Sequence, residues 1–315
     1  MALQVEIWHE TIQEKLLEDN SFLNHISDVS SEHIVSGSIV HIPQAGDPSK
    51  VVKNRSVFPA NVLRRTDSEV LYKIDEYTTD PVAIPNADTK ELSYDKRRSV
   101  IDQDLANLSE VVAEGMLTNM VISPIGDNKE LPKTSILETT GANTAASFYL
   151  DGTTGQRKKW TLGDLQRMQR FFRTQKAWKE DKMIALLPAN AILDLFPADS
   201  PTTATYMQSV TEQERRQGVI YKVQGFKILI RSSVYMLGAD KTFKAFGSVA
   251  TGGDAEGAIF WNETMVEKAI GTTEAFSRPN DPQYFADIYS FLVRMGGRTR
   301  RKNYEGVAIL KQAVA

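Results

Sequence analysis

The residue types that carry acid–base, nucleophilic or metal chemistry are unevenly supplied in this 315-residue chain. Cysteine is absent, which removes disulfides, thiolate metal sites and cysteine nucleophiles together. All four histidines (His9, His25, His33, His41) fall within the first 41 residues, so the rest of the chain has no imidazole to act as general base or metal ligand. His9-Glu10-Thr11-Ile12-Gln13 opens like a zinc-protease helix, but Gln13 stands where a second histidine must complete the metal face. Neither G-x-x-x-x-G-K-S/T nor G-x-G-x-x-G occurs, so the turns that cradle nucleotide phosphates are missing, and Gly252-Gly253-Asp254 reads as a loop turn. The expectation is a chain with no catalytic residue, no cofactor and no metal.

Carboxylates do come in pairs: Asp75-Glu76, Asp102 with Asp104, and Glu180-Asp181. A glycosidase needs two of them converging on one cleft, and acids are far more often solvated surface residues. Cations are more suggestive. Between Arg157 and Lys182 stand nine (Arg157, Lys158, Lys159, Arg167, Arg170, Arg173, Lys176, Lys179, Lys182) against three acids. Arg167, Arg170, Arg173, Lys176 and Lys179 recur every third residue, a slowly drifting stripe on a helix. It reads either as a contact, first for an acidic neighbouring subunit and second for phosphate, or as a solvated face. Arg294, Arg298, Arg300, Arg301 and Lys302 form a second basic cluster with the same two readings.

The elements that must position these residues change character along the chain. Residues 1–36 mix short apolar clusters with acids and read as an arm. From Gly37 the pattern is extended, in runs such as GSIVHIP, KVVKNRSVF and EVLYKIDEY punctuated by Pro43, Pro48, Pro59, Pro81 and Pro85. The stretch 50–80 is too charged to bury much on its own, so a protruding two-stranded loop is expected. Ile101, Leu105, Leu108, Val112 and Met116 then make one apolar stripe on a helix of about 24 residues, roughly 36 Å long. Residues 138–157 read as loop with a strand around Phe148. A second helix is capped by Thr161 with Asp164 three residues on. Trp160, Phe171 and Phe172 are expected in a core, and Trp178, near the helix end, in a core or an interface. A buried strand (MIALLP), a short helix (ANAILDLF), an amphipathic piece (PTTATYMQSVTEQERRQ) and two strands broken at Gly225 follow. The chain closes with AIFW, a short helix NETMVEKA, and extended runs through YFADIYSFLVRMGG and YEGVAIL. This order is α+β.

Bulk composition narrows the classes further. With 41% hydrophobic and 24% charged residues the chain is an ordinary globular one, and its length suggests at least two lobes. A formal charge of −3 argues against tight nucleic-acid binding. No apolar run approaches 18 residues, and the first 20 carry Glu6, Glu10, Glu14, Glu18 and Asp19, the wrong chemistry for a signal peptide. The chain is expected in the cytoplasm when made, with no membrane contact.

The order of parts resembles the major capsid proteins of tailed bacteriophages, which share the Hong Kong 97-type fold, over nearly the whole chain. GSIVHIP with YKIDEYTTDPVAIPNADTKELSYDKRRSVIDQDLANLSE is similar to the family's extended loop returning into its spine helix. GVIYKVQGFKILIRSS is similar to paired strands of the axial domain. AIFWNETMVEKAIG with NDPQYFADIYSFLVRMGGRTRRKNYEGVAIL resembles the family's ending, where a last peripheral sheet is completed before a terminal strand. The resemblance implies an N-terminal arm (1–36), an extended loop (37–92), a peripheral domain with the spine helix (93–154 and 271–315) and an axial domain (155–270). It also implies pentamers and hexamers of the chain forming an icosahedral shell, and double-stranded DNA enclosed without sequence-specific binding. Separate scaffold and portal proteins are implied as well, since only some 36 residues precede the loop. The location implied is the virion capsid, assembled in the host cytoplasm. Subunit contacts are expected at Arg55, Arg64, Arg65, Asp67, Glu69, Asp75 and Glu76 on the loop, and at the basic stripe. Lys50, Lys53 and Asn54 do not by themselves imply an isopeptide cross-link. The competing readings are an encapsulin-like compartment shell and an α/β hydrolase.

Overall fold

The computed structural model describes residues 20–29, 39–46, 48–56, 58–59, 62, 64–85, 96–127, 129–197 and 210–315. His9 and His33 lie outside these residues, as does most of the expected arm. What is described of that arm belongs to the body: Phe22, Leu23 and Ile26 are buried in the main core, and the short strand β1 (Ser27–Asp28) pairs in parallel with a later strand.

Strand β2 (Ile39–Gln44) pairs antiparallel with β3 (Ser68–Lys73), the two arms of the expected hairpin. Only its base is packed: Val40, Tyr72 and Ile74 cluster with Val29 and Ala269. The chain continues into β4 (Asp75–Thr78) and β5 (Val82–Pro85). Helix α1 spans Lys96–Val121, and all five residues of its expected stripe are buried. Strands β6 (Ile136–Glu138), β7 (Asn143–Ala145) and β8 (Gln156–Lys158) follow. The strand expected around Phe148 is instead a single 3-10 turn, Ala146–Phe148, with Phe148 turned out to solvent.

Helix α2 (Leu162–Thr174) starts as its sequence dictates. Thr161 accepts from the Asp164 amide while the Asp164 carboxylate accepts from the Thr161 amide. Strand β9 (Met183–Pro188) is buried on both faces and leads into helix α3 (Ala189–Leu195). Of the amphipathic piece, residues 201–209 lie outside the described set, and Glu212–Arg216 forms a short helix. Strands β10 (Tyr221–Val223) and β11 (Phe226–Arg231) turn at Gln224 and Gly225, both with positive φ, the backbone that a two-residue hairpin turn requires. Strands β12 (Tyr235–Leu237) and β13 (Ala255–Asn262) come next. The helix expected at NETMVEKA is only a 3-10 turn at Glu263–Met265, because from Val266 the chain enters β14 (Val266–Asp281), whose backbone is paired along β15 (Ala286–Thr299). Strand β16 (Val307–Lys311) ends the fold.

Two sheets organise the molecule. A five-stranded sheet runs β1-β14-β15-β4, with β5 also on β15. A seven-stranded sheet runs β10-β11-β9-β13-β16-β6, with β12 on β13. Alternate residues of the larger sheet serve two cores. Ile184, Leu186, Ile259, Trp261, Val307 and Ile309 join α1 and the smaller sheet on one side. Ala185, Leu187, Phe226, Phe260, Ala308 and Leu310 join Trp160, Leu165, Met168 and Phe172 on the other. Burial on both faces is why MIALLP and VAIL are continuous apolar runs. It also decides the place of β16. This strand hydrogen-bonds between β13 and β6, since a strand with no polar face needs cover on both sides. The close approach of β15 to the root of the β2–β3 ribbon and to α1 relies on Gly296-Gly297. A Cβ on Gly296 would come within 2.5 Å of the Lys73 carbonyl oxygen, and one on Gly297 would press on Met116 and lie 2.7 Å from the Glu267 carbonyl oxygen.

Candidate assembly surfaces

The most conspicuous surface is the outer part of the β2–β3 ribbon. Every described residue from 48 to 69 is exposed. Its apolar side chains are exposed with the rest: Val51 is 92% accessible, Phe58 75% and Val62 98%. Large apolar groups left in water over such a length are more characteristic of interaction surfaces than of ordinary loop. From Pro48 to Thr66 the sequence carries Lys50, Lys53, Arg55, Arg64 and Arg65 and no acid.

The seven loop residues singled out from sequence do not share one surface. Arg55 and Arg64 are exposed on the outer ribbon. Arg65 and Asp67 engage each other, Nε to Oδ1 at 2.7 Å and Nη2 to Oδ2 at 3.0 Å, and the Gly46 amide donates to Asp67 at 2.9 Å. The Arg65 hydrogen bond holds the Asp67 carboxyl below its ordinary range. Glu69 meets His41 Nδ1 at 3.0 Å. Asp75 and Glu76 lie in β4, where their backbone pairs with Met295 and Arg294 of β15. Asp67 and Glu69 therefore hold the ribbon's own two arms in register, while Asp75 and Glu76 belong to a sheet edge.

The basic stripe is shorter on the helix than its spacing suggested. Helix α2 stops at Thr174, and Lys176, at φ +57°, turns the chain out of it. Lys176 and Lys179 thus follow the helix instead of extending its face. Arg167 pairs with Asp164 at 3.1 Å and donates to the Glu138 carbonyl at 2.8 Å, and Arg173 sits 4.9 Å from the Trp178 ring centroid. Arg170, Lys176 and Lys179 are exposed. The second basic cluster is divided: Arg301 and Lys302 are exposed, Arg294 and Arg300 half-buried and Arg298 buried. Arg300 pairs with buried Glu267 at 2.7 Å, and buried Arg298 donates to the Leu71 carbonyl at 2.8 Å.

A third surface was not anticipated: the turn joining β14 to β15 exposes Tyr284 and Phe285, and Phe276 farther down β14 is exposed as well. Nor was a cluster of buried polar groups behind α3. Asp194 accepts from Tyr149 Oη at 2.6 Å and lies 3.7 Å from Lys159 Nζ, and Glu256 accepts from Asn190 at 3.1 Å. Burial lifts the Glu256 carboxyl to about 7. The only sequence signal for it was one acid inside the apolar run AEGAIFW. His25 is buried with Nε2 3.2 Å from the Gln217 carbonyl oxygen, and burial lowers its affinity for a proton.

Among the described residues no group of three or more His, Cys, Asp or Glu side chains is arranged to hold a metal ion, and no helix is long and apolar enough to cross a membrane.

No protein-family model matches the chain, and no curated protein matches it in sequence. Solved structures do match in fold. The Cyanophage Pam1 capsid chain superposes with a TM-score of 0.63 at 12% identity, over 95% of this chain and 93% of that one. A chain from the capsid of Ralstonia phage GP4 gives 0.61 at 12% identity, over 92% and 87%. The mature capsid of bacteriophage PhiM1 gives 0.57 at 12% identity, over 92% and 86%.

Proposed function

We propose that this chain, which has the Hong Kong 97-type fold of those phage capsids, is the major capsid protein of a tailed bacteriophage. It self-assembles into the icosahedral head that encloses the genome, and its role is structural rather than enzymatic. The observation that carries this reading is the ribbon of residues 48–69, exposed along its described length and bearing apolar side chains and cations that its own chain leaves in water. Such a ribbon becomes useful when it lies across an adjacent copy. Many copies of a modest contact then make a durable closed shell through multivalency.

In this reading the ribbon is the extended loop and α1 the spine helix. The five-stranded sheet with α1 forms the peripheral domain. The body carrying α2, α3, β10 and β11 forms the axial domain, bound to the peripheral one through the shared seven-stranded sheet. Arg55 and Arg64 reach the neighbour directly, and Arg65 does so from its pair with Asp67. Asp67, Glu69, Asp75 and Glu76 support the ribbon and its root, and Arg170, Lys176 and Lys179 offer a second basic contact. Pentamers and hexamers, separate scaffold and portal proteins and enclosed double-stranded DNA follow from the same reading, as does a place in the virion capsid.

The test is size-exclusion chromatography and electron microscopy of the purified chain, expressed alone and with candidate scaffold proteins. Hollow particles built from pentamers and hexamers are expected. A stable monomer or small oligomer under every condition would overturn the reading, and native particles enclosing a cargo enzyme in place of DNA would turn it towards a compartment shell.

A further inference from the structure

A cleft of about 430 Å³ lies where α1, the end of β11, the 244–250 loop and β13 meet. Its lining is acidic: Glu110 and Glu114 from α1, Asp151, and Glu256 from β13. Two cations also line it, but both are already engaged. Arg231 is 3.6 Å from Glu114 and stacks over Phe246, and Lys244 is 2.6 Å from Asp254. Glu256 is the telling residue. It is only 5% exposed, its Oε1 accepts from Asn190, and its Oε2 has no hydrogen-bond partner. A buried carboxylate oxygen without a donor is costly and calls for one. Leu150, Phe246 and Val249 on the same walls are the apolar surface that suits the methylene stem of a long basic side chain.

The complementary group exists on this molecule. The segment 48–66 carries five cations and no acid, with exposed Val51, Val52 and Phe58 among them. Its described residues are exposed, so they do not fill the cleft of their own chain. We propose that the cleft is a receptor for a lysine or arginine of the 48–66 ribbon of a second copy, with Glu110 and Asp151 at its mouth, the Glu114–Arg231 pair on its wall and Glu256 at its floor. This inference rests on the assembly reading and specifies which face of the neighbour the ribbon meets. Opposite charge selects the partner and the register, and the exclusion of water around Glu256 makes the innermost contact stronger than a surface pair. Because that carboxyl is held near 7, an arriving ammonium or guanidinium drives it to its charged form.

Wild-type particles assembled from a mixture of isotope-labelled and unlabelled chains provide the test. They are treated with a carbodiimide, which joins an amine directly to a carboxylate, and the linked peptides are mapped by mass spectrometry. Arg55→Lys and Arg64→Lys variants extend the mapping to the arginine positions. The expected result is a mixed-isotope link from Lys50, Lys53 or one of the introduced lysines to Glu110, Glu114, Asp151 or Glu256. Ribbon amines that link only to carboxylates elsewhere, or only within one chain, overturn the proposal while leaving the shell reading intact. A chain that forms no particles overturns the shell reading itself, and this inference with it.

Discussion

Replacing Glu256 by Gln removes a charge that the fold accommodates badly and keeps the shape that Asn190 holds. The ordinary glutamate value of 4.5 applies in the unfolded chain, whereas burial raises the folded value to about 7. Between these values the unfolded chain has lost its proton and the folded chain keeps it, so the folded state binds more protons and stability falls as pH rises. The loss is absent below 4.5 and complete above about 7. A difference of about 2.5 units corresponds to about 3 kcal/mol at pH 8, as an order of magnitude. Equilibrium urea unfolding of unassembled subunits, wild type against Glu256→Gln, measures it at pH 5 and pH 8. The variant's midpoint is expected to match wild type at pH 5 to within a small margin and to exceed it clearly at pH 8. Identical pH dependence in the two proteins would refute the reasoning, because it would mean that Glu256 ionises in the folded chain as it does in water.

Asp164→Ala removes the carboxylate half of the α2 capping box together with the acceptor for the Thr140 amide and hydroxyl and for Arg167; a loss of about 2–3 kcal/mol is expected in urea unfolding, with α2 most affected in hydrogen exchange. Gly297→Ala forces a methyl group against Met116 and the Glu267 carbonyl, and a cost of about 1–3 kcal/mol should appear as a lowered thermal midpoint. Replacing residues 48–64 with a short glycine-serine turn should leave circular dichroism and melting of the subunit unchanged while abolishing particles in the microscope, since the described residues there are exposed. Arg65→Ala should not measurably change subunit stability, because its pair with Asp67 is exposed and screened; a large destabilisation would mean that the ribbon is packed.

Much of the architecture is legible in the residues because it depends on local periodicity. The stripe Ile101, Leu105, Leu108, Val112 and Met116 could bury one face only as a helix, and Thr161 with Asp164 could cap only a helix that starts there. MIALLP, continuous and apolar, had to be a strand covered on both sides. The ribbon, poor in apolar residues that could meet each other, had to stand away from the body. What sequence alone leaves open is every choice made by partners distant in the chain. NETMVEKA has helical spacing, but pairing along β15 claims its backbone from Val266 onward. Spacing of three placed Lys176 and Lys179 on a helix, yet the chain leaves that helix at a left-handed residue. The last strand could have closed either sheet, and only the free edge of β13 beside β6 covers both of its faces. The acidic cleft is of the same kind: Glu110, Asp151 and Glu256 are far apart in sequence, and convergence is a property of packing. Backbone periodicity is a short-range constraint written in neighbouring residues, whereas pairing and desolvation depend on which surfaces exclude water together, and that is decided only when the whole chain has folded.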